Sequence, residues 1–481
     1  MSHLIVLGGG PGGYIAAFEA AAQAKRAGIE LDVTLIEKHR LGGTCLNVGC
    51  IPTKTILKTA HALADIARAE EFAITGLEAA QPRLDLDALR TRKDKVVDEL
   101  VSQIEQSAKR LKIKVVEGTG TLKSTSPNIE VAINSDDETN NGEHNVLTAD
   151  YLIVATGSVP TVLPALDYPF VWTSDDAIAL TEIPESIIIV GGGVIGVEFA
   201  HAYAKFGSKV TVVELAKSLL PWFDKRVGRT LTRDLQAQGI EMILGNSVES
   251  VTQASDGTVA AQLADGREIT ADVIMSAVGR VPNTKDIGLE EAGLDFNRHA
   301  LKVNQHYQTN NPNIYAIGDV IGGLMLAHEA EHEGALAARH IVAQIAGQPD
   351  AAADIHTLNP NLIPGCIYTT PEIAIIGMSA DDAKQAGIAA VAGIAKYSAN
   401  GKALAEGESE GFVQLICEAT TGELLGAQIV GAKAVELIAI VTPYLEQKRT
   451  VADIAHTVFA HPTLSEVVRL AAEVCVGKLK S

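Results

Sequence analysis

Twice along this chain an apolar strand-like run ends in three spaced glycines and continues as a helical stretch, and that recurrence constrains the fold more than any other feature. In the first copy His3–Leu7 reads as a strand, Gly8, Gly10 and Gly13 as a turn, the residues from Tyr14 as a helix and Asp32–Ile36 as the next strand. In the second, Ser186–Val190 leads to Gly191, Gly193 and Gly196, then to a helix over Val197–Phe206 and a strand over Lys209–Val213. The spacing G-x-G-x-x-G between strand and helix suits a dinucleotide. Missing side chains permit a tight turn and close approach of a pyrophosphate, and the N–H groups at the helix start face its phosphates. Each following strand ends on an acid, Glu37 or Glu214, placed to accept hydrogen bonds from a ribose. Glu214 favours NAD over NADP, because a carboxylate repels a 2′-phosphate and no arginine follows it immediately. The expected fold class is therefore α/β with two Rossmann-like dinucleotide-binding domains, one for a bound flavin and one for an exchanging nicotinamide.

A chain of 481 residues is too long for one ordinary core, so further domains are expected beyond these two. Leu86–Leu111 reads as a long amphipathic helix, Val115–Leu122 and Ile129–Ile133 as strands, and the polar run Asn134–Asn145 as a hairpin tip. A connecting region extends through Asp319 to a helix over Glu329–Ala346. From about Pro360, strands such as Gly411–Cys417 and Leu424–Val430 alternate with helices, which suggests a separate α+β domain. The formal net charge of -20 argues against general affinity for nucleic acid or anionic membrane. The apolar run before the first glycines is too short for a signal peptide, and no run spans a bilayer, so a cytoplasmic protein is expected. Five cysteines in so long a chain do not make a secreted disulfide framework, which also points to a reducing compartment.

Four residues separate Cys45 from Cys50 in GGTCLNVGCIPTK, just after the first strand–helix–strand unit. A bridge over so short a loop restricts little chain entropy, so it makes a poor staple and a better exchange centre. A thiolate there is favoured by a helix N-terminus, which the segment after Cys50 could provide. Two buried thiols without redox chemistry are the bland alternative. Metal binding has little support, because no companion cysteine or histidine cluster has suitable spacing.

With GGGPGG, GGGVIGVEFA and the terminal FAHPTLSE, this segment resembles the pyridine nucleotide-disulfide oxidoreductase family over essentially the whole chain, and most closely its dihydrolipoamide-oxidising branch. The resemblance implies an FAD-binding domain (residues 1–155), an NAD-binding domain (156–280), a central domain completing the FAD site (281–355) and a C-terminal dimerisation domain (356–481), assembled as a homodimer. It implies further FAD contacts at Thr44, Gly118, Thr156, Gly157, Ser158, Asp319 and the stretch Met325, Leu326, Ala327, His328. Val248 and Gly279 match positions beside NAD, and Lys54 and Glu198 match a pair near the reactive flavin ring. By the same resemblance Cys45 exchanges with substrate, Cys50 faces the flavin, and His461, oriented by Glu466, is the acid–base group acting across the dimer.

The implied activity is oxidation of protein-bound dihydrolipoamide, with NAD as final acceptor. No lipoyl segment precedes the first strand, so the lipoyl group is expected from another chain, the lipoylated E2 of a 2-oxo acid dehydrogenase or the H protein of glycine cleavage. An acidic surface suits a basic binding domain on such a partner. Rival readings are a glutathione or mercuric reductase, or a structural subunit that keeps FAD only for stability. Gly196 and Val194 stand where glutathione reductases tend to have alanine and a tyrosine gate. Mercuric reductases carry a C-terminal cysteine pair, whereas Cys475 is alone near this C-terminus. Cys366, Cys417 and Cys475 read as small apolar residues. Two departures from the family pattern are Phe459, where some relatives have a second histidine, and a long connection over Ala22–Asp32, expected to form a loop.

Overall fold

The computed structural model describes residues 1–76, 82–134, 145–353, 355 and 358–479. The expected hairpin tip at 134–145 lies almost entirely outside the described residues. The chain forms two compact units, one from residues 1–53, 91–161 and 280–358, the other from 54–90, 162–279 and 359–481.

The first unit is built on a five-stranded parallel sheet in the order Ile314–Ala316, Tyr151–Val154, Ser2–Leu7, Leu31–Glu37, Lys114–Glu117. Its central strands are apolar on both faces, with Leu4, Ile5 and Val6 fully buried, as a parallel sheet covered on both sides requires. The helix Pro11–Ala27 begins three residues earlier than the sequence suggested, with Pro11 in its first turn, where a missing N–H costs nothing. It also continues through the expected loop, ending on Gly28 in the left-handed region (φ 67). The extra residues before Glu37 are thus extra helix, and the connection to Leu31–Glu37 is short. The same unit holds a three-stranded antiparallel sheet, Thr119–Ser124, Ile129–Asn134 and Asn145–Ala149, and two antiparallel pairs, Ser158–Pro160 with Arg280–Pro282 and Phe296–Asn297 with Ala300–Leu301.

The expected single strand over Val115–Leu122 is two strands in two sheets. Gly118, at φ 146, is the corner between them, and its N–H donates to the Glu37 carbonyl at 2.9 Å.

The second unit repeats the plan. Its parallel sheet runs Glu241–Leu244, Lys209–Glu214, Ser186–Val190, Val273–Ser276, Val171–Trp172. A three-stranded antiparallel sheet, Val248–Gln253, Val259–Leu263 and Glu268–Ala271, follows. Its C-terminal part is an antiparallel sheet in the order Gly365–Ile367, Ile373–Gly377, Leu424–Gly431, Gly411–Glu418, Ala390–Lys396, covered by helices that include Ala434–Glu446 and Glu466–Leu479. Phe459 packs against the core between them, and Cys417 and Cys475 are fully buried in it. Among the described residues no helix is long and apolar enough to cross a membrane.

Candidate active site

The first glycine turn is held by main-chain contacts that leave no room for side chains at Gly8 and Gly13. A Cβ on Gly8 would lie 2.2 Å from the Ala155 carbonyl oxygen, and one on Gly13 would lie 1.8 Å from that of Gly8. Gly10 caps the helix Pro11–Ala27 without a side-chain hydrogen bond, so the N–H groups of the first helical turn remain for a ligand. Glu37 completes the turn: its Oε2 accepts from the Gly9 N–H at 2.7 Å and its Oε1 from the His39 N–H at 3.0 Å. Gly118 is beside Glu37 through the hydrogen bond already described. A cradle of N–H groups, with a carboxylate at the end of the next strand, fits the pyrophosphate and ribose of FAD.

The other expected flavin contacts come from the same unit. Ser158 donates to Asp319 Oδ2 at 2.5 Å, while Arg280 donates through Nε to Ser158 Oγ and through a terminal nitrogen to the Ser158 carbonyl, both at 2.7 Å. Thr156 Oγ1 donates to the Asn283 carbonyl at 2.8 Å, and the Asn283 N–H donates to the carbonyl of Gly157, which is at φ 72. Met325 takes the left-handed region at φ 55 just before the helix Ala327–Ile345, which Leu326 caps and on which His328 lies. Two helical turns in, buried Glu333 accepts the Gly318 N–H at 2.6 Å, which fixes the turn carrying Asp319. Burial, reinforced by Glu329 and Asp319, pushes the Glu333 carboxyl up to about 8.

The cysteine segment is tied to this turn. Gly42 donates its N–H to the Gly9 carbonyl at 2.8 Å, and a Cβ on Gly43 would lie 2.5 Å from Gly10 Cα. Thr44 and half-buried Cys45 follow on the helix Gly43–Val48. Gly49 folds the chain back: a Cβ there would meet the Thr44 carbonyl at 2.8 Å and Cys45 Cα at 3.0 Å. Exposed Cys50 then starts the helix Cys50–Ala67, where the helix dipole favours a thiolate. Burial, then Glu331, pushes up the phenol of Tyr14 on the first helix, and Cys45 adds to the rise.

In the second unit the turn has the same construction. A Cβ on Gly191 would lie 2.3 Å from the Ala277 carbonyl oxygen, and one on Gly196 would lie 1.9 Å from that of Gly191. Gly193 caps the helix Val194–Lys205. Glu214 accepts from the Gly192 and Ala216 N–H groups, each at 2.6 Å. Gly279 (φ 116) closely follows Ala277, and Val248 opens the first strand of the antiparallel sheet. The donors and the carboxylate fit NAD as the first turn fits FAD.

Two side-chain pairs named from the resemblance are brought together in this unit. Lys54 Nζ is 2.9 and 3.1 Å from the carboxylate oxygens of Glu198, which is 3% exposed. The Tyr368 ring lies 4.4 Å from the same Nζ, and the Tyr368 N–H donates to Glu198 Oε1 at 3.0 Å. A buried carboxylate is expensive unless matched, and here the ammonium and the N–H match it. His461 Nδ1 is 3.1 and 3.2 Å from the Glu466 oxygens. The Thr463 N–H at 3.0 Å, followed by His461, holds the Glu466 carboxyl below its ordinary value. With Nδ1 engaged and the side chain 80% exposed, Nε2 is the nitrogen left without the carboxylate.

Tyr368 and Arg280 escaped the sequence reading. They are 170 and 122 residues from the partners they serve, and no local pattern reports contacts at that separation.

Residues 2–334 match the model of the pyridine nucleotide-disulphide oxidoreductase family, and residues 363–472 match that family's dimerisation domain. A dihydrolipoyl dehydrogenase of Bacillus subtilis (strain 168) is 38% identical, with 99% of this chain and 98% of the relative aligned. One from Haloferax volcanii is also 38% identical, over 99% of this chain and 97% of the relative. Among solved structures, LpdA from Mycobacterium tuberculosis superposes with a TM-score of 0.88 at 27% identity, covering 98% of this chain and 99% of that one. The HOCl-induced flavoprotein disulfide reductase RclA from Escherichia coli, as its Cu(II) complex, gives 0.83 at 26% identity, covering 98% and 99%. Two glycine turns closed on carboxylates, a cysteine pair tied to the first and a matching dimerisation region agree with these similarities, and the chain belongs to the pyridine nucleotide-disulphide oxidoreductase family.

Proposed function

We propose that this chain is a dihydrolipoyl dehydrogenase, oxidising protein-bound dihydrolipoamide through a Cys45–Cys50 disulfide and FAD, with NAD as acceptor. The observation that carries the reading is the anchoring of the cysteine segment on the first glycine turn, through Gly42 to Gly9 and Gly43 against Gly10. A dithiol and a dinucleotide cradle thereby share one rigid piece of backbone. FAD, when bound, supplies two-electron transfer between the dithiol and NAD.

The protein's own residues do the rest. Gly8, Gly10 and Gly13 receive the FAD pyrophosphate and Glu37 its ribose, with Gly118 alongside. Thr156, Gly157, Ser158 and Asp319 orient the remainder together with Thr44 and the stretch Met325–His328. Gly191, Gly193, Gly196 and Glu214 receive NAD, flanked by Val248 and Gly279. Lys54, held by Glu198, is the cation for the reduced flavin ring. His461 Nε2 takes the proton from one thiol of dihydrolipoamide, and that thiolate attacks Cys45 Sγ. The Cys45–Cys50 bond breaks, a mixed disulfide forms at Cys45, and Cys50 leaves as a thiolate. The second substrate thiol, deprotonated in turn, closes on its neighbour and releases lipoamide and reduced Cys45.

In the homodimer, His461 and Glu466 of one protomer serve the cysteine pair of the other. Residues 1–155 form the FAD domain, 156–280 the NAD domain, 281–355 the central domain and 356–481 the interface. The partner is a lipoylated E2 or glycine-cleavage H protein, and the site of action is cytoplasmic. Anaerobic addition of dihydrolipoamide and NAD to the flavin-loaded protein should yield NADH. Cys45→Ser should abolish it, and His461→Gln should lower kcat/KM for dihydrolipoamide by about 10²–10⁴-fold. NADH formation undiminished in Cys45→Ser would refute the disulfide route.

A further inference from the structure

We infer that Trp222 is a nucleotide contact of the second glycine turn, a movable indole cover that packs on the pyrophosphate and adjoining ribose of NAD. The inference rests on the assignment of that turn to NAD. Trp222 is 69% exposed, although an indole is a costly group to leave in water. Fraying does not account for this, because Leu219 and Leu220 just before it are fully buried and the Leu220 N–H donates to the Gly192 carbonyl at 3.0 Å. The Phe223 N–H donates back to the Leu220 carbonyl at 2.9 Å, so backbone hydrogen bonds bracket Trp222.

The indole projects over the turn. Its six-membered ring comes within 3.4 Å of where a Cβ on Gly193 would stand, and Gly193 caps the helix whose N–H groups face the phosphates. A side chain there, with two rotatable bonds and an Nε1–H donor, can swing aside to admit a dinucleotide and then cover it. It would shield the phosphates from water and offer them one more hydrogen bond. Glu214 is held at the same turn by the Gly192 and Ala216 N–H groups, so the expected ribose acceptor and the indole both belong to it.

The chain has two tryptophans, Trp172 and Trp222, so intrinsic fluorescence can isolate the contact. Using the FAD-loaded dimer, NAD and ADP-ribose should both quench emission, nicotinamide mononucleotide should not, and the quench should vanish in Trp222→Phe. By calorimetry, Trp222→Ala should weaken ADP-ribose binding about five- to tenfold at unchanged flavin content, with Trp222→Phe recovering most of the loss. A quench that persists in Trp222→Phe, or wild-type affinity for ADP-ribose in Trp222→Ala, would overturn the inference and leave the NAD assignment standing. Absence of any NAD or ADP-ribose binding by the wild-type protein would sink that assignment itself.

Discussion

The two glycine turns share a strand, three glycines, a helix and an acid that accepts two backbone N–H groups, yet they are covered differently. Each is crossed by a backbone hydrogen bond to the carbonyl of the residue after its first glycine, Gly42 to Gly9 at 2.8 Å and Leu220 to Gly192 at 3.0 Å. At the first turn the next residue is Gly43, whose main chain packs on Gly10 so closely that a Cβ on Gly43 would lie 2.5 Å from Gly10 Cα. At the second turn the cover is the exposed indole of Trp222. Main chain cannot move away without disturbing the helix that carries Cys45, whereas an indole can rotate. The first arrangement suits a cofactor that stays and the second one that must come and go.

Valine substitution at equivalent glycines should break the symmetry most strongly. At Gly8 and Gly191 the added Cβ would be within 2.3 Å of a carbonyl oxygen, and both residues have φ above 100°. Gly8→Val should yield protein without bound flavin or no folded protein at all. Gly191→Val should remain yellow, with flavin content near one per chain, and lose measurable NAD binding. Absorbance of the purified proteins decides the first point and calorimetry the second.

Truncating the acids should have a smaller effect. Each carboxylate accepts two N–H groups, and charged hydrogen bonds contribute about 1.5–3 kcal/mol each. Glu214→Ala should weaken NAD binding by about 10- to 100-fold without loss of flavin. Glu37→Ala should speed flavin release and leave NAD affinity unchanged. Equal effects on both cofactors from either substitution would count against separate sites.

The smallest expected effect concerns Glu333 in the first unit. Its carboxyl is pushed up to about 8 in the folded protein, whereas an ordinary one ionises near 4.5. Between those values the folded state holds a proton that the unfolded state has lost, so this group's contribution to stability falls as pH rises from about 4.5 to about 8. Glu333→Gln retains an acceptor for the Gly318 N–H and should flatten that slope. Its melting temperature should exceed wild type most near pH 8, and the gap should close toward about 4.5.

The turns were legible in the sequence because everything that builds them is local: a β-branched strand, glycines at fixed spacing and an acid one strand later. The first helix was misjudged at both ends for local reasons too, since Pro11 fits a helix start and the Gln23–Ala27 stretch is as helical as what precedes it. Gly118 was the missed sign that Val115–Leu122 must divide, a glycine inside a strand pattern marking a corner. Lys54–Glu198, Ser158–Arg280 and the Tyr368 clamp join residues 122 to 170 positions apart. Resemblance supplied the first of these, and nothing in spacing or periodicity could supply the others. No local pattern marks Trp222 as the neighbour of Gly193, 29 positions earlier.

If the dithiol works beside a fixed cofactor and the exchanging one binds at a separate turn, reduction of the cysteines and formation of NADH are separable. The direct measurement is anaerobic reduction of flavin-loaded Gly191→Val by dihydrolipoamide in the presence of NAD, with protein thiols titrated after removal of the small thiols and NADH measured alongside. Two new thiols per chain at Cys45 and Cys50 and no NADH are expected, where wild type gives continuous NADH production. NADH formation by the variant, or no gain of thiols despite bound flavin, would contradict it.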